Sequence, residues 1–365
     1  MRVLHVIARM NVGGTATYLA NLIDGLEKNG VENLLVMGDV ATGESEDSVV
    51  STLNYQRVEQ LSRELNFSKD RRAKTEIEDA IAKFRPHLIH THTFKAGFLV
   101  RLTKRDIPVI HSFHGHHLYD PEFGFIKRNV LNLIERRLAP RTRAFITIGK
   151  RVRDELLAVG IGSPDQYVPI APGITPLEKV DSREIRKKFG FGDQEKLVIW
   201  LGRFTQVKRP DRVIEMALLM PHIRFVMAGG GEMLEKTKVK APTNVSFVGF
   251  QDKSEMWSIA DIGLCTSDSE GMPLSLIEAQ MAGVPVVSTD VGSVSEIIDD
   301  GVTGRLCEKD HEDLVKKLQA VLDTMEHGYE MSKAARMRAE REFTREVMTE
   351  AHMNLYRKVL GKVEQ

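Results

Sequence analysis

The stretch Ala171-Pro172-Gly173-Ile174-Thr175-Pro176 constrains the fold more than any other part of the chain. Two prolines and a glycine within six residues interrupt helix and strand alike. On both sides of it the text repeats one grammar: a short apolar strand, a glycine-bearing turn, then an amphipathic helix. Before it, Arg2 to Ile7 is a strand and Met10-Asn11-Val12-Gly13-Gly14-Thr15 a turn. Tyr18, Leu19, Leu22, Ile23 and Leu26 then recur at helical spacing until Gly30. After it, Lys196 to Leu201 is a strand ending in Gly202-Arg203-Phe204, and Val213, Ile214, Met216 and Ala217 mark the next helix. Alternating strands and helices predict parallel sheets, so the chain reads as two Rossmann-like, doubly wound α/β domains with a cleft between them. The boundaries fall at 1–171 and 172–343, with a last amphipathic helix over 344–365 that carries Val347, Met348, Ala351, Leu355, Val359 and Leu360.

Within the first half, further strands are expected at 33–37, 87–90, 108–111, 142–148 and 167–170, with helices over 69–84 and 149–159. Residues 39–51 are polar and read as an irregular loop. In the second half, strands are expected at 223–228, 245–248, 262–265 and 284–287. Asp290-Val291-Gly292-Ser293 caps a helix that includes Ile297 and Ile298, Gly301 and Gly304 mark a turn, and the chain is helical from Asp310.

Composition matters here for what it excludes. At 42% hydrophobic and 28% charged the chain is an ordinary globular one. A formal charge of zero implies no strongly charged partner, and no basic tract with interleaved aromatics supports nucleic-acid binding. Cys265 and Cys307 fit no disulfide framework or zinc pattern and suit a reducing cytosol. The opening MRVLHVI is too short for a signal-peptide core, and no apolar run approaches the roughly 18 residues of a spanning helix. The expectation is a cytoplasmic protein, attached to a membrane surface at most. One segment bears on that attachment. Between Phe123 and Arg143, Phe125, Ile126, Val130, Leu133, Ile134 and Leu138 can line one face, with Lys127, Arg128, Arg136 and Arg137 elsewhere. A basic amphipathic helix of this kind can rest on an anionic membrane. The plainer expectation is an apolar side buried in the core and a basic side in water.

The chemistry concentrates in Ser269 to Ser288, SEGMPLSLIEAQMAGVPVVS. Glu270-Gly271-Met272-Pro273 reads as a loop, and Pro273 suits the first turn of a helix that Gly283 stops. Glu270 then stands at a helix N-terminus, whose free N–H groups favour an anion. Glu278 lies deeper along the helix, placed to accept hydrogen bonds from a diol. An anion beside polyhydroxy groups describes a nucleotide sugar; two solvated glutamates on a surface helix is the bland alternative. Arg203 and Lys208 follow the carboxyl end of a strand, where two cations are well placed for a diphosphate. Gly13-Gly14 and Gly229-Gly230-Gly231 permit close backbone approach to a ligand, or are plain tight turns.

Eight of the twelve histidines precede residue 172, and six of those eight lie in His90-Thr91-His92 and in His111-Ser112-Phe113-His114-Gly115-His116-His117. Both groups follow strands. The histidine count allows a zinc site as one reading, but without H-E-x-x-H or a completing cysteine or carboxylate pattern no metal is expected. Turn histidines bonded to backbone and recognition of sugar hydroxyls remain as readings.

The run from Glu270 to Glu278 resembles the E-x7-E donor signature of family 4 retaining glycosyltransferases, which have the two-domain GT-B fold. Arg203 to Lys208 resembles that family's G-R-x4-K segment. HTHT-x-KAG followed by HSFHG looks like its acceptor-domain segments. The resemblance implies that Glu270 contacts the donor sugar, with Gly271, Met272, Pro273, Leu274 and Ser275 beside it, and that Glu278 holds the ribose. It implies that Arg203 and Lys208 hold the pyrophosphate and that the Gly13-Gly14 turn faces it. The loops of Gly230 and Phe250 border the nucleobase and ribose, and His114 reaches the transferred sugar. His111, His116 and His117 stand close enough for that last assignment to slip. The C-terminal helix is implied to pack back across both domains. The function implied is transfer, with retention, from a nucleotide sugar, UDP-linked above all, to a polysaccharide, lipid-linked or small hydroxylated acceptor. The chain has no D-x-D pair for a cation on the diphosphate, so neither a divalent metal nor a cofactor is expected. A sugar-nucleotide epimerase of the same fold, or a non-catalytic nucleotide-sugar-binding protein, are the rivals.

Overall fold

The computed structural model describes residues 1–62, 66–103, 106–115, 124–326 and 330–361. His116, His117 and Phe123 lie outside them. The chain divides into two compact units, Met1–Gly173 with Arg345–Gln365, and Ile174–Thr344. The break falls two residues beyond the boundary drawn from the linker.

The first unit runs β1 (Arg2–Ile7), α1 (Gly14–Lys28), β2 (Glu32–Met37), β3 (Tyr55–Arg57), α2 (Phe67–Phe84), β4 (Leu88–His92), α3 (Phe94–Arg101), β5 (Val109–Phe113), α4 (Phe125–Leu138), β6 (Ala144–Thr147), α5 (Lys150–Ala158) and β7 (Tyr167–Pro169). Its seven strands pair in the order β3-β2-β1-β4-β5-β6-β7, all parallel. The second unit runs α6 (Ser182–Phe189), β8 (Leu197–Leu201), α7 (Pro210–Leu219), β9 (Arg224–Ala228), α8 (Leu234–Lys238), β10 (Val245–Gly249), α9 (Lys253–Ile259), β11 (Ile262–Cys265), α10 (Leu274–Met281), β12 (Val286–Thr289), β13 (Gly304–Cys307), α11 (His311–Glu326) and α12 (Glu330–Glu342). Its sheet order is β10-β9-β8-β11-β12-β13, again parallel. The last helix, α13 (Arg345–Gly361), belongs to the first unit.

Strand order reverses direction between β1 and β4 in one unit and between β8 and β11 in the other. In open parallel sheets ligands bind outside the carboxyl ends of the strands at such a switch point. Those ends carry Gly13-Gly14 and the His92 segment in the first unit, and Arg203 and Glu270 in the second.

The strands read as apolar runs because helices cover both faces of each sheet. In the first unit, Leu19, Leu22, Ile23 and Leu26 of α1 and Met348, Leu355 and Tyr356 of α13 pack on one side. Ile77 and Ile81 of α2 and Leu99 and Val100 of α3 pack on the other. Several helices start on side-chain caps. Asn66 accepts from Lys69 N–H, Asp181 from Arg183 N–H, and Asp252 from Ser254 and Glu255 N–H. Each such cap contributes about 1 kcal/mol.

Four sequence expectations change. Residues 48–51, expected within an irregular loop, enter a 3₁₀ turn, Ser48–Thr52, and β3 follows as a three-residue edge strand too short to leave a periodic trace. Gly304 opens β13 rather than sitting in a turn. The segment after Ser293 forms a single 3₁₀ turn, Val294–Glu296, instead of a helix. The largest change is α4. Phe125, Ile126, Val130 and Leu133 are exposed, and the buried face holds Leu131, Asn132, Glu135 and Leu138. The cause is a demand from α3. Arg101 is buried, and its Nη1 and Nη2 donate to Glu135 Oε2 and Oε1 at 2.8 and 2.7 Å, while its Nε donates to Gly97 O at 2.8 Å. A guanidinium taken out of water needs that bidentate partner, and it turns α4 until Glu135 faces inward.

Candidate functional site

The second unit's switch point gathers one ion pair and its supports. β8 delivers Gly202 and Arg203 at its carboxyl end, and a 3₁₀ turn, Gln206–Lys208, follows. Lys208 thus lies on that turn, not on the following helix, which begins at Pro210. β11 delivers Thr266, Ser267 and Glu270. Lys208 Nζ donates to Glu270 Oε1 at 2.5 Å, and Ser267 Oγ donates to the same oxygen at 2.6 Å. The Glu270 side chain is only 9% exposed. Burial pulls the Lys208 pKa down, but the Glu270 carboxylate outweighs it and the net shift is upward. The ammonium is therefore held charged, with two further N–H donors beyond the one given to Glu270. The Arg203 side chain is exposed and its guanidinium hydrogen-bonds no described residue, while its charge acts on Lys208.

Backbone ties hold the pair in place. Thr266 Oγ1 donates to Lys208 O and Arg209 O at 3.0 Å each and accepts from Trp200 Nε1 at 3.1 Å. Asp268 N–H donates to Val207 O at 2.8 Å. Arg212, buried beneath, donates to Thr266 O at 2.8 Å and pairs with Asp268 Oδ1 at 2.8 Å. On the far side, Ser293 N–H donates to Gly271 O at 2.7 Å. Gly292, at φ 53°, approaches so closely that a Cβ there would stand 1.8 Å from Glu270 O. Only glycine meets both conditions.

Helix α10 begins immediately after this loop. Pro273 occupies its N-cap position and supplies no side-chain cap, which leaves first-turn N–H groups unsatisfied by the helix itself. Met272, Pro273 and Leu274 bury their side chains, so any ligand contact from Met272 or Leu274 is through main-chain N–H, which Pro273 lacks. Ser275 is half-buried. Glu278 is 2% exposed. Its Oε1 accepts from Lys253 Nζ, on α9, at 2.6 Å, while its Oε2 is buried and has no hydrogen-bond partner among the described residues. A buried carboxylate oxygen without a donor is an unfilled acceptor. Gly230 and Phe250 come together beyond β9 and β10. The Phe250 ring is exposed, and a Cβ on Gly230 would stand 2.8 Å from it.

In the first unit, Gly13 forms the N-cap of α1 at φ 153° and Gly14 its first residue. Of the histidines expected at a sugar, His90, His92 and His111 are fully buried, so neither hydroxyl recognition nor bonding within a turn describes them. They face inward because a parallel strand covered on both faces has no wet side. His111 Nδ1 bonds Thr91 Oγ1 at 2.8 Å. His90 bonds Tyr356 OH and Ser112 Oγ, each at 2.6 Å. His114, just past β5, is only half-buried. His5, His90 and His92 bring ligand atoms within 4.8 Å of one another, the spacing of a metal triad. Their ring nitrogens are hydrogen-bonded, with Asn33, Tyr356, Ser112 and neighbouring imidazoles as partners.

Sequence reasoning passed over Ser267, Lys253, Arg212 and the pair His352 and Tyr356. Only the last left a local trace, four residues apart on one helical face.

Residues 181–338 match the family described as Glycosyl transferases group 1, and residues 13–173 match the Glycosyl transferase 4-like domain. The chain is 28% identical over 256 residues to the putative glycosyltransferase EpsD of Bacillus subtilis. That alignment spans 63% of this chain and 66% of the relative. Among solved structures, sucrose-phosphate synthase from Thermosynechococcus elongatus superposes with a TM-score of 0.86 at 19% identity, over 99% of this chain and 100% of that one. Anabaena HepE, in complex with UDP-glucose, superposes with a TM-score of 0.82 at 16% identity, over 98% of this chain and 99% of that one.

Proposed function

This chain belongs to the group 1 glycosyl transferases, of the family 4 type with the GT-B fold, and from that premise we propose that it moves a sugar with retention from a nucleotide-sugar donor to a hydroxylated acceptor. The observation that carries the reading is the Lys208–Glu270 pair at the second unit's switch point, beside Arg203 and the uncapped start of α10.

Charge develops on the leaving diphosphate as the glycosidic bond opens. Lys208, Arg203 and the first-turn N–H groups of α10 stabilise it with donors already in place. Glu270 contacts the sugar, and Glu278 offers Oε2 to a ribose hydroxyl. With no second carboxylate placed as a nucleophile among the described residues, attack on the same face is the route, and the leaving phosphate accepts the acceptor's proton. No divalent ion is needed in this scheme, because the cations are side chains. The base is uracil, a choice supported by the UDP-glucose complex of HepE. Gly13, Gly14 and His114 of the first unit serve the diphosphate and the transferred sugar. The acceptor is a polysaccharide, lipid-linked or small glycoside hydroxyl.

Nucleotide diphosphates and their sugars should raise the thermal midpoint, UDP forms most, since a ligand that binds only the native state stabilises it. A UDP-sugar converted to an epimer with no acceptor present would overturn the transferase reading for this site.

A membrane contact is also proposed, on the α4 surface. Phe125, Ile126, Val130 and Leu133 are exposed there with Lys127, Arg136 and Arg137 also in water. Apolar insertion beside basic residues fits an anionic lipid surface. Among described residues no helix is long and apolar enough to cross a membrane. Failure to pellet with anionic vesicles at low salt would refute the contact.

A further inference from the structure

The buried histidines of the first unit form a chain whose proton positions follow from its far end. Asn33 Nδ2 donates to Val31 O at 3.0 Å. A carbonyl only accepts, so the amide must present Oδ1 to His5. That oxygen has no proton, so His5 Nε2 donates to it, at 3.2 Å. A neutral imidazole carries one proton, which leaves His5 Nδ1 an acceptor. His92 Nε2 therefore donates to His5 Nδ1 at 3.2 Å, and His92 Nδ1 is bare in its turn. His114 Nε2 donates to His92 Nδ1 at 3.0 Å. One nitrogen remains, His114 Nδ1. It carries a lone pair and hydrogen-bonds no described residue.

The chain is neutral throughout. Burial pushes His5 and His114 down to about 3 and holds His92 well below its ordinary value. The last ring is also clamped. His92 stacks on it, with centroids 5.2 Å apart at 23°, and Tyr18 meets it edge-on at 4.6 Å. Tyr18 is held by α13. His352 Nδ1 donates to Met348 O at 2.8 Å, so Tyr18 OH donates to His352 Nε2 at 2.9 Å.

We propose that Asn33, His5 and His92 are positioning residues that lock His114 as its Nε2–H tautomer and present its Nδ1 as a hydrogen-bond acceptor for a hydroxyl of the sugar substrate. The other tautomer would offer an N–H instead and suit a phosphate or carbonyl oxygen. The half-buried imidazole is thereby committed to receiving an O–H, a choice made by an amide at the opposite end of the relay. The identity of the hydroxyl's owner rests on the transferase reading; the tautomer does not.

The test uses the full chain with ¹⁵N-labelled histidine. Two-bond nitrogen–proton correlation at neutral pH reports which nitrogen of each ring carries the proton, with no substrate present. His5, His92 and His114 should all appear protonated at Nε2. His92→Leu removes the acceptor for His114 and should give a mixed His114 tautomer, with kcat down about tenfold, the size expected for one lost hydrogen bond. His92→Asn places an amide oxygen near the Nδ1 position and should restore both the tautomer and most of the turnover. Asn33→Leu, at the far end, is a second breaker should His92→Leu fold poorly. A wild-type His114 protonated at Nδ1, or a tautomer indifferent to these breakers, overturns the relay. Expected tautomers with unchanged turnover in His92→Leu overturn its use in the reaction. Absence of any sugar transfer by the wild-type chain would strike the hydroxyl assignment and the transferase reading together, while the spectra still decide the tautomer.

Discussion

Replacing Lys208 by alanine separates two roles that the structure gives one ammonium. Its Nζ lies 2.5 Å from Glu270 Oε1, and the two side chains are 24% and 9% exposed. Removing it leaves Glu270 with Ser267 as its remaining hydroxyl donor at 2.6 Å. A buried acceptor stripped of a charged partner costs about 1–3 kcal/mol, which should appear as a lower urea midpoint. The kinetic loss should be larger. A pre-placed donor aimed at developing charge contributes about 2.7–4 kcal/mol, so kcat should fall roughly 10²–10³-fold. Stopped assays of UDP release and sugar transfer at saturating donor measure it. Lys208→Ala in a Glu270→Gln background sharpens the result. If the lysine served only to neutralise Glu270, the second substitution would recover turnover. If it faces the diphosphate, the double variant stays as slow as Lys208→Ala alone. Turnover of Lys208→Ala within about threefold of wild type would refute the reasoning, since charge stabilisation of the leaving group cannot be that small if Lys208 supplies it.

Other outcomes follow from the same geometry. Lys253→Met releases Glu278 Oε1 from its anchor and should weaken UDP binding about tenfold by calorimetry, with kcat changed less; unchanged affinity would dissociate Glu278 from the ribose. Glu135→Leu strands the buried Arg101 guanidinium and should cost about 3–5 kcal/mol in urea unfolding, whereas adding Arg101→Met should recover most of it. The histidine cluster should make the fold acid-sensitive. His5 and His114 are pushed from 6.5 to about 3 and His352 to about 4, so the unfolded chain takes up protons first as pH falls. Their contribution is fully present above the unfolded value of 6.5 and is lost between there and pH 3–4, at roughly 1.4 kcal/mol per pH unit for each histidine. A urea midpoint that stays level from pH 7 to pH 5 would contradict it.

Much of this was legible along the chain. The strand–glycine–helix grammar on either side of 171–176, the helix over Tyr18 to Leu26, and the loop and helix around Glu270 to Glu278 depend on neighbours within a few residues, and periodicity records those. So do the cations after β8. What escaped were partnerships across long separations. Lys253 lies 25 residues from Glu278, and Arg101 lies 34 residues from Glu135. No local pattern marks either pair.

The sequence by itself determined the α/β class, the two-part division and the residue types at the second unit's switch point, because these follow from local periodicity and from turn-forming residues. Only the tertiary structure decided which histidines enter the core, which side of α4 meets water, and which oxygen of Glu278 stays open. Those outcomes turn on burial, and a buried charge or imidazole takes its orientation from whichever distant partner satisfies it.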